Sequence, residues 1–516
     1  MRVHPAFGAL LVALASGGYA AWLLGLAPGY QPGADSLYHF VVGRQIAAGT
    51  LVPDVARALP FTVLRDMPVD HYWGYHVLLA PFGLVPDAEM GMKAATVVLF
   101  GAIYASMYLF LRSRGVLHAW AWSLAQVAFL AQDGQYLQLR GGQLEVPLLF
   151  ATTHVAFFEE RARWRRVLLV AIGYLALLSY HGGIVLLPFH AAGVLALLLL
   201  RRSALQPGQL FEPALTAGGM ALGLTINPYM DARASTWRFF ALHVGQMGRD
   251  SAHLYDDQTY AEFHGFPASA LLQYPAWTVL LVATAIAIVV AVKRDRSKSA
   301  VVLAGMAIGG IVLTALAVRT REYSVPVAFA LLAQLAPTTD ARFRLSGPVL
   351  ATVLAVAFVF HGREMAPLLA THLPTRQYRG AREILEANAD HPILNIAEAD
   401  YCMLLWEYDR VVCVQALSRY FIYPYKELFH DVWELHDRAD TSPETPAILQ
   451  RFWNRGVRLV ASHRSHKMML FARAHPEMLH PVFCSPIDGA CIFALDPAIG
   501  AAPVPRDPAA VGPGSR

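Results

Sequence analysis

Charged side chains are scarce in this chain of 516 residues. Only 15% of the residues are Asp, Glu, Lys or Arg, whereas 56% are hydrophobic, and the formal net charge is +4. A charge this small, spread over many short loops, gives no support for nucleic-acid binding. The apolar content exceeds what one soluble core can bury, so we interpret the chain as a polytopic membrane protein.

Cysteine is also rare, and none of it lies in a hydrophobic run. The four cysteines are Cys402, Cys413, Cys484 and Cys491. Their spacings contain no Cys-x-x-Cys pair, which disfavours a zinc site. Cys484 and Cys491 flank the turn sequence SPIDGA, so we expect a disulfide between them and consider a second one between Cys402 and Cys413. Disulfides suit an oxidising outer compartment. Four reduced cysteines in a cytosolic domain are the alternative.

Long hydrophobic runs divide the first two thirds of the chain. The first run, 6–27, has about the length that crosses a bilayer. A cleavable signal peptide is the alternative, although the run is longer than an ordinary signal-peptide core. We predict about eleven spans: 6–27, 92–111, 119–131, 144–158, 167–179, 183–200, 213–226, 270–292, 301–318, 325–336 and 347–360.

Lys and Arg collect in alternate loops, which the positive-inside rule assigns to the cytoplasm. These residues are Arg112, Arg114, Arg161, Arg163, Arg165, Arg166, Arg201, Arg202, Lys293, Arg294, Arg296, Lys298, Arg342 and Arg344. We therefore predict a multi-pass protein of a prokaryotic inner (plasma) membrane, with a cytoplasmic N-terminus and a periplasmic C-terminus.

The composition changes near residue 367, where charges become frequent. Short strand patterns then alternate with helical ones: ILNI near Ile393, VVCV near Val411, VRLVASH near Val457, and the pair VFCS and CIFAL. We predict a mostly α-helical membrane domain over 1–366, with a long outer loop at 28–90. A soluble α/β domain on the outer face follows over 367–498, and then a disordered tail over 499–516.

The loop at 28–90 is dense in polar and aromatic side chains. Its blocks GADSLYHFVVGRQIAAG and DMPVDHYWGYHVLLAPF contain Asp35, Tyr38, His39, Arg44, Asp70, His71 and His76. The same topology places further polar residues on the outer face: Asp133, Arg140, Glu145, His181, Arg319, Arg321, Glu322 and Tyr323. Charges near hydrocarbon usually have partners. We therefore predict one outward-facing polar cavity that houses them all.

In order and topology, the membrane part resembles the GT-C superfamily of membrane-embedded glycosyltransferases. The resemblance rests on DSLYHFVVGRQIAAG and DHYWGYHVLLAPF, with weaker matches in QLRGGQLEVPLLF, SYHGGIVLLP and VRTREYSVP. It implies a polyprenyl-phosphate-linked sugar donor, a glycan, lipid or protein acceptor, and surrounding membrane lipids. The C-terminal domain resembles no family that we can name.

The resemblance also implies roles for individual residues. Asp35 matches a first-loop carboxylate that acts as general base or orients the acceptor hydroxyl. Arg140, Arg319 and Arg321 are candidates for stabilising the leaving lipid phosphate. A single displacement would invert the anomeric centre. Further donor or acceptor contacts are expected from Tyr38, His39, Arg44, Asp70, His71, His76, His181 and Tyr323.

Two motifs of related enzymes are missing. Some members of the superfamily hold a divalent ion between the first-loop Asp and carboxylates of the second outer loop, which here would be Asp35, Asp133 and Glu145 with Mg or Mn. GGQLE stands where a paired-carboxylate motif is expected, so metal dependence stays open. The chain also lacks a WWDYG-like signature of oligosaccharyltransferases, which favours a monosaccharide donor over a preassembled glycan.

Structural interpretations compete with these functional ones. Asp35 could cap a helix that begins at Ser36 or Leu37, Arg140 could extend from a span toward water, and Arg321 could form an ion pair with Glu322. Asp70, His71 and His76 could lie in a solvated loop, and His181 could be structural in its Gly-rich turn. The aromatic residues Tyr72, Trp73 and Tyr75 suit either an interfacial belt or sugar stacking.

Two other functional classes share these features. A transporter or lipid-glycan flippase would normally show internal repeats with broken helices in matching positions, and the sequence shows none. A ligase of the O-antigen type would share the compartment and the polyprenyl-linked donor. Transport and sugar-transfer assays distinguish a transporter from a glycosyltransferase. A ligase would be recognised by its need for an oligosaccharide donor.

Overall fold

The computed structural model describes residues 4–26, 33–130, 137–206, 208–229, 236–242, 275–295, 297–316, 320–336, 347–371, 378–416, 421–422, 425–463, 466–486 and 489–496. The first helices in chain order are α1 (Pro5–Leu26), α2 (Ala34–Ala47), α3 (Val55–Ala58), α4 (Val63–Asp66), α5 (Trp73–Gly83), α6 (Ala88–Ser113), α7 (Ala119–Leu130), α8 (Gly142–Phe158), α9 (Ala162–Ser179), α10 (Leu186–Leu200) and α11 (Glu212–Thr225). They continue with α12 (Pro275–Val290), α13 (Lys298–Leu316), α14 (Arg321–Leu335), α15 (Gly347–Thr371), α16 (Arg382–Ala387), α17 (Glu398–Glu407), α18 (Lys426–Arg438), α19 (Thr445–Asn454) and α20 (Lys467–Ala474). The strands are β1 (Ile393–Asn395), β2 (Leu459–Ser462), β3 (Leu479–Cys484) and β4 (Cys491–Leu495).

Two compact units divide the chain. The first comprises Met1–Pro53 and Val69–Leu373, and the second comprises Asp54–Pro68 and Pro374–Arg516. The segment Asp54–Pro68 lies in the middle of the long first loop, which sequence composition assigns to the membrane domain as a whole. The loop therefore contributes residues to both units.

The first unit is helical, as expected for its hydrophobic runs. Within the described residues, five helical segments are long and apolar enough to cross a membrane: Pro5–Gly25, Ala88–Ser113, His181–Leu200, Trp277–Asp295 and Lys298–Leu316. Other helices are shorter, such as α7 with 12 residues, whereas a crossing needs about 20. The number of about eleven spans therefore stays a prediction.

Helices α9 and α11 pack closely through glycines. A Cβ on Gly173 of α9 would collide with the carbonyl oxygen of Thr216, and one on Gly219 of α11 would collide with the carbonyl oxygen of Val170. Backbones can approach this closely only where side chains are small, which is common between helices in membranes. The glycines of TAGG and AIGY thus set the distance between these two helices.

A buried ion pair joins the same two helices. Arg165 Nε of α9 donates to Glu212 Oε1 of α11 at 2.5 Å, and the two side chains are 1% and 2% exposed. Arg165 also donates to the side chain of Gln206 and to the carbonyl oxygen of Glu159. The sequence groups Arg165 with the loop charges that set topology. The structure instead buries it, because Glu212 compensates its charge.

The second unit is built on a four-stranded sheet with the order β1-β2-β4-β3. β1 and β2 are parallel, and β4 is antiparallel to both of its neighbours. Apolar side chains of α18, α19 and α20 form one core with the strands. The four strands confirm the predictions made for ILNI, VRLVASH, VFCS and CIFAL.

The fifth strand prediction, VVCV, is wrong. This segment makes one isolated parallel bridge, between Cys413 and Ile393. The backbone N–H of Cys413 points the other way, to the carbonyl oxygen of Ala58 at 2.9 Å. On the side of β1 the regular pairing ends at Asn395, where the backbone N–H of Gln415 donates to Asn395 Oδ1 and the Gln415 side chain donates to the Asn395 carbonyl oxygen. Side-chain bonds thus replace the next bonds of the ladder, which could not be read from the local pattern.

Further contacts hold Asp54–Pro68 in the second unit. Phe61 packs against its hydrophobic core, and the Tyr425 hydroxyl donates to Asp66 Oδ2 at 2.5 Å. Burial, together with the hydrogen bond to the Asp66 carboxylate, raises the pKa of Tyr425 to about 12. Asp66 is only four residues from Asp70 in sequence, yet it is part of a different unit.

The cysteines follow the expectation only in part. Cys484 and Cys491 form a disulfide across the β3–β4 hairpin, with a Cα–Cα distance of 4.1 Å, which confirms that pairing. The second pairing is wrong, because Cys402 and Cys413 are buried thiols that form no disulfide. Burial raises the pKa of the Cys413 thiol well above its usual value. Both residues therefore act as small core side chains.

Candidate active site

The site begins at the N-terminus of α2. Gly33 is the N-cap and adopts a φ of 40°, where a side chain would be strained and would also meet Gln138. Asp35 lies in the first turn, and no side chain caps the helix. The interpretation of Asp35 as a helix cap is therefore wrong. Its negative charge still suits the positive end of the helix dipole.

Asp35 forms an ion pair with Arg140. Asp35 Oδ2 lies 3.1 Å from Arg140 Nη2, and the two side chains are 36% and 19% exposed. The backbone N–H of Leu139 donates to Ser36 Oγ at 2.7 Å, which ties the residue before Arg140 to the first turn of α2. Arg140 thus has Asp35 as its carboxylate partner, and both side chains remain partly exposed.

One turn further along α2, three buried side chains form a hydrogen-bonded chain. His39 Nδ1 lies 2.8 Å from His76 Nε2, and His76 Nδ1 lies 2.6 Å from Asp70 Oδ2. The second oxygen, Asp70 Oδ1, accepts the backbone N–H of Tyr72 at 3.0 Å. All three residues are at least 96% buried, so the interpretation of Asp70 and His76 as part of a solvated loop is wrong.

The environment keeps His39 neutral. Burial lowers its pKa well below the usual value, and the nearby His76, His71 and Arg140 lower it further. A charged imidazole here would lose its hydration and would stand close to a guanidinium. His39 is therefore an uncharged hydrogen-bonding group at neutral pH.

Aromatic rings surround this chain of side chains. The rings of Tyr38, Tyr72 and Tyr75 lie edge-on to His39, with centroids 5.2, 4.5 and 5.3 Å away. Tyr75 is fully buried, and its hydroxyl donates to Gln143 Oε1 at 2.9 Å. Tyr75 therefore belongs to the wall of the site and not to an interfacial belt.

A small cavity lies beside Asp70. Its volume is about 30 Å³, which is room for about two water molecules. Asp70, His71, His181, Tyr229 and Phe239 are among its lining residues. The rings of His71 and His181 lie 4.8 Å apart. The structure thus brings the predicted residue His181 to the same region as Asp70 and His71.

The other predicted contacts lie in different places. Tyr323 is buried at the start of α14, and its hydroxyl would be 3.5 Å from a Cβ on Gly142, close along the chain to Arg140. The Arg321 guanidinium lies 5.7 Å from the ring centroid of Trp277, within cation–π range. Arg44 is exposed and lies about 13 Å from Asp35 along α2. Asp133 and Arg319 lie outside the described residues.

Glu145 is the one proposed metal ligand that the structure buries completely. Among the described residues neither of its oxygens has a hydrogen-bond partner, and a Cβ on Gly183 would lie 3.0 Å from Oε1. The described part of the chain contains no group of three His, Cys, Asp or Glu side chains that could hold a metal. Asp35 is moreover engaged by Arg140. Asp35 and Glu145 alone supply too few oxygen ligands for a divalent ion, and no step of the chemistry below is assigned to one.

Sequence reasoning missed several members of the site. Ser36, Gln138, Gln143 and Tyr180 contribute through their contacts: Tyr180 stacks on Tyr72 with a centroid distance of 5.4 Å and an interplanar angle of 8°. The sequence indicates them only by their position, because Gln138 and Gln143 flank Arg140 and Tyr180 precedes His181. Uncharged residues of this kind look ordinary until the fold gives them partners.

The fold of the chain has counterparts among known structures. The chain is similar to the crystal structure of the Archaeoglobus fulgidus oligosaccharyltransferase in its apo form, with a TM-score of 0.56 and 13% identity over 95% of this chain and 74% of the other. A second structure of that enzyme, in complex with Zn and sulfate, gives a TM-score of 0.54 and 14% identity over 93% and 72% of the two chains. At this identity the similarity establishes the fold alone.

Comparisons of sequence find nothing. No family model matches the chain, and no curated protein matches it. The similarity to the fold of an oligosaccharyltransferase agrees with the fold expected from the resemblance, and the activity has to be argued from the site.

Proposed function

We propose that the protein is a membrane glycosyltransferase that moves a sugar from a polyprenyl-phosphate-linked donor to an acceptor hydroxyl. The observation that carries this proposal is the Asp35–Arg140 ion pair at the start of α2, in a fold similar to that of an oligosaccharyltransferase. A carboxylate and a guanidinium 3.1 Å apart supply a proton acceptor and a phosphate-binding cation at one place.

In this proposal the two side chains have different tasks. Asp35 accepts the proton of the acceptor hydroxyl while that oxygen bonds to the anomeric carbon. The bond from the anomeric carbon to the phosphate oxygen breaks, and polyprenyl phosphate leaves with the bonding electrons. Arg140 stabilises the charge that develops on the phosphate, with Arg321 and Arg319 as further candidates. One displacement inverts the configuration of the anomeric carbon.

Two donors fit this chemistry. The structural neighbours are named oligosaccharyltransferases, which raises the transfer of a preassembled glycan as the second candidate. The missing WWDYG-like signature still favours a monosaccharide donor. A ligase with an oligosaccharide donor and a lipid-glycan flippase remain as alternatives, and a divalent metal remains a separate question because Asp133 lies outside the described residues.

The test is a transfer assay with the purified full-length protein. Radiolabelled polyprenyl-phosphate monosaccharides are supplied, and release of polyprenyl phosphate is scored for the wild type, Asp35→Asn and the control Asp390→Asn. Asp390 is exposed in the second unit, so its variant should retain activity, whereas Asp35→Asn should abolish it. Near-normal turnover by Asp35→Asn would sink the assignment.

Three further arms separate the alternatives. Turnover with only an oligosaccharide donor identifies the ligase or the oligosaccharyltransferase activity. Movement of the intact lipid-linked sugar across vesicles, without bond cleavage, identifies a flippase. Addition of EDTA, followed by Mg²⁺ or Mn²⁺, measures metal dependence directly.

A further inference from the structure

The chain of Asp70, His76 and His39 connects three parts of the first unit. Asp70 precedes α5, His76 lies on α5, and His39 lies on α2. The two distances, 2.6 and 2.8 Å, are those of good hydrogen bonds. Burying a carboxylate and two imidazoles is unfavourable unless they bind one another. A packing role alone would be filled better by apolar side chains.

A relay needs one of the proton orders that these hydrogen bonds allow. In that order His76 Nδ1 donates to the Asp70 carboxylate, which when ionised can only accept. His76 Nε2 is then an acceptor, and His39 Nδ1 donates to it. Because neutral His39 carries its proton on Nδ1, its Nε2 has a free lone pair. The chain therefore presents one base, with a defined orientation, at its α2 end.

That end lies close to Asp35. Residues four apart on a helix share a face, with Cβ atoms about 5–6 Å apart, and Asp35 and His39 have this spacing on α2. The charged and titratable groups around His39 come from several elements. They are Asp35 and Tyr38 of α2, His76 and Tyr75 of α5, Asp70, His71 and Tyr72 before α5, and Arg140 before α8.

We propose that Asp70, His76 and His39 form a proton relay that takes up the proton released by glycosyl transfer. This inference rests on the proposed function, and it assigns His39 and His76 as positioning and proton-carrying residues behind Asp35. The proposed function explains how the proton leaves the acceptor. The relay explains where it goes.

In the relay, the acceptor hydroxyl first loses its proton to Asp35. Asp35 then passes a proton to His39 Nε2, directly or through one water. The Nδ1 proton of His39 moves to His76 Nε2. His76 is then an imidazolium next to the Asp70 carboxylate, which stabilises its charge. The reverse movement returns the proton to solvent after polyprenyl phosphate has left, and the starting protonation is restored.

The variant that tests the relay is His39→Asn. The amide N–H of Asn reaches the position of His Nδ1–H, so the hydrogen bond to His76 is kept while the basic Nε2 is lost. We expect kcat to fall about 10²-fold, with KM for the donor changed less than about twofold. Added imidazole should restore part of the rate in a concentration-dependent way. His190→Gln, which alters a buried histidine of α10, should keep the wild-type rate.

The outcomes are distinct. An inactive wild type overturns the proposed function and the relay together. An active wild type, an inactive Asp35→Asn and a fully active His39→Asn overturn the relay alone. A slow His39→Asn without buffer rescue assigns His39 a structural role and also overturns the relay. If His39→Asn does not fold, a proton inventory of the wild type in H₂O/D₂O mixtures decides: a curved plot supports the relay, and a linear one contradicts it.

Discussion

Arg140 is the residue at which the proposed phosphate-binding role can best be distinguished from a packing role. It reaches the Asp35 carboxylate at 3.1 Å while retaining exposure, so it can bind an incoming phosphate without leaving its partner. We expect Arg140→Gln to lower kcat about 10²–10³-fold. Arg140→Lys should recover only part of this, because it keeps the charge but loses the planar fork. Steady-state transfer kinetics measure both.

Arg44 supplies the matched control for that experiment. It is an arginine of the first outer loop, but it is exposed and lies about 13 Å from Asp35 along α2. Arg44→Gln should therefore stay within about twofold of the wild-type rate. Equal losses in the Arg44 and Arg140 variants would show that general positive charge, and not the Asp35–Arg140 geometry, determines the rate.

His39 makes the stability of the first unit depend on pH. Its folded pKa lies well below the ordinary value of about 6.5 because it is buried. As the pH falls below about 6.5, the unfolded chain binds a proton that the folded chain does not, so stability is lost down to the folded pKa. We expect the wild-type Tm in detergent to fall between pH 7 and pH 5, and the fall to be smaller in His39→Asn. An identical pH slope in the two proteins would contradict this account.

Residue identity alone predicted part of this site. Asp35, Arg140, His39, Asp70 and His76 stood out because polar residues are costly in a membrane protein, and the structure brings all five together. Their mutual partners could not be predicted, because the pairing depends on where loops separated by about a hundred residues meet. The same limit explains Arg165, which looks like a loop charge until Glu212 is placed beside it.

At the scale of elements, the ion pair between α9 and α11 is a contact whose contribution to stability can be measured directly. Arg165 and Glu212 are almost fully buried and bind at 2.5 Å. Removing one partner leaves an uncompensated buried charge, so Glu212→Leu should destabilise the protein by about 3–5 kcal/mol. The double variant Arg165→Met with Glu212→Leu should recover most of that loss. Thermal unfolding in detergent compares the wild type, the two single variants and the double variant.

A double variant as unstable as Glu212→Leu alone would show that Arg165 stabilises the fold through Gln206 and Glu159 instead. This interpretation is specific, because Arg165 also donates to both of those residues. The double-variant cycle thus separates the ion pair from the hydrogen bonds at the end of α9.

Elements were predictable where their signal is local. The hydrophobic runs gave the helices, and alternating apolar residues beside the SPIDGA turn gave the β3–β4 hairpin with its disulfide. VVCV failed because side-chain hydrogen bonds between Asn395 and Gln415 replace its regular pairing with β1. The pairing of Cys402 with Cys413 failed because the outer compartment permits a disulfide without specifying which thiols meet, and both residues are buried thiols.

At the scale of the whole molecule, the long first loop has two roles. Its ends, with Asp35 and Asp70, belong to the first unit, and its middle, Asp54–Pro68, belongs to the second. The loop therefore contributes to two folded units, and Asp66 and Asp70 belong to different units despite their proximity in sequence. The composition of the sequence changes near residue 367, but it does not reveal that the short segment Asp54–Pro68 folds with the second unit.

Orientation in the membrane is the last property that the proposed function requires, since polyprenyl-linked donors would have to meet the site on the outer face. The Lys and Arg pattern predicts that the C-terminal unit is periplasmic, and a disulfide between Cys484 and Cys491 suits that compartment. A periplasm-active phosphatase fused after Asp496 should be active, and the same reporter fused after Arg114 should be inactive. A cytoplasm-active reporter at the two sites should give the opposite pattern. An inactive phosphatase after Asp496, with a stable fusion protein, would place the C-terminal unit in the cytoplasm and leave the disulfide without an oxidising environment.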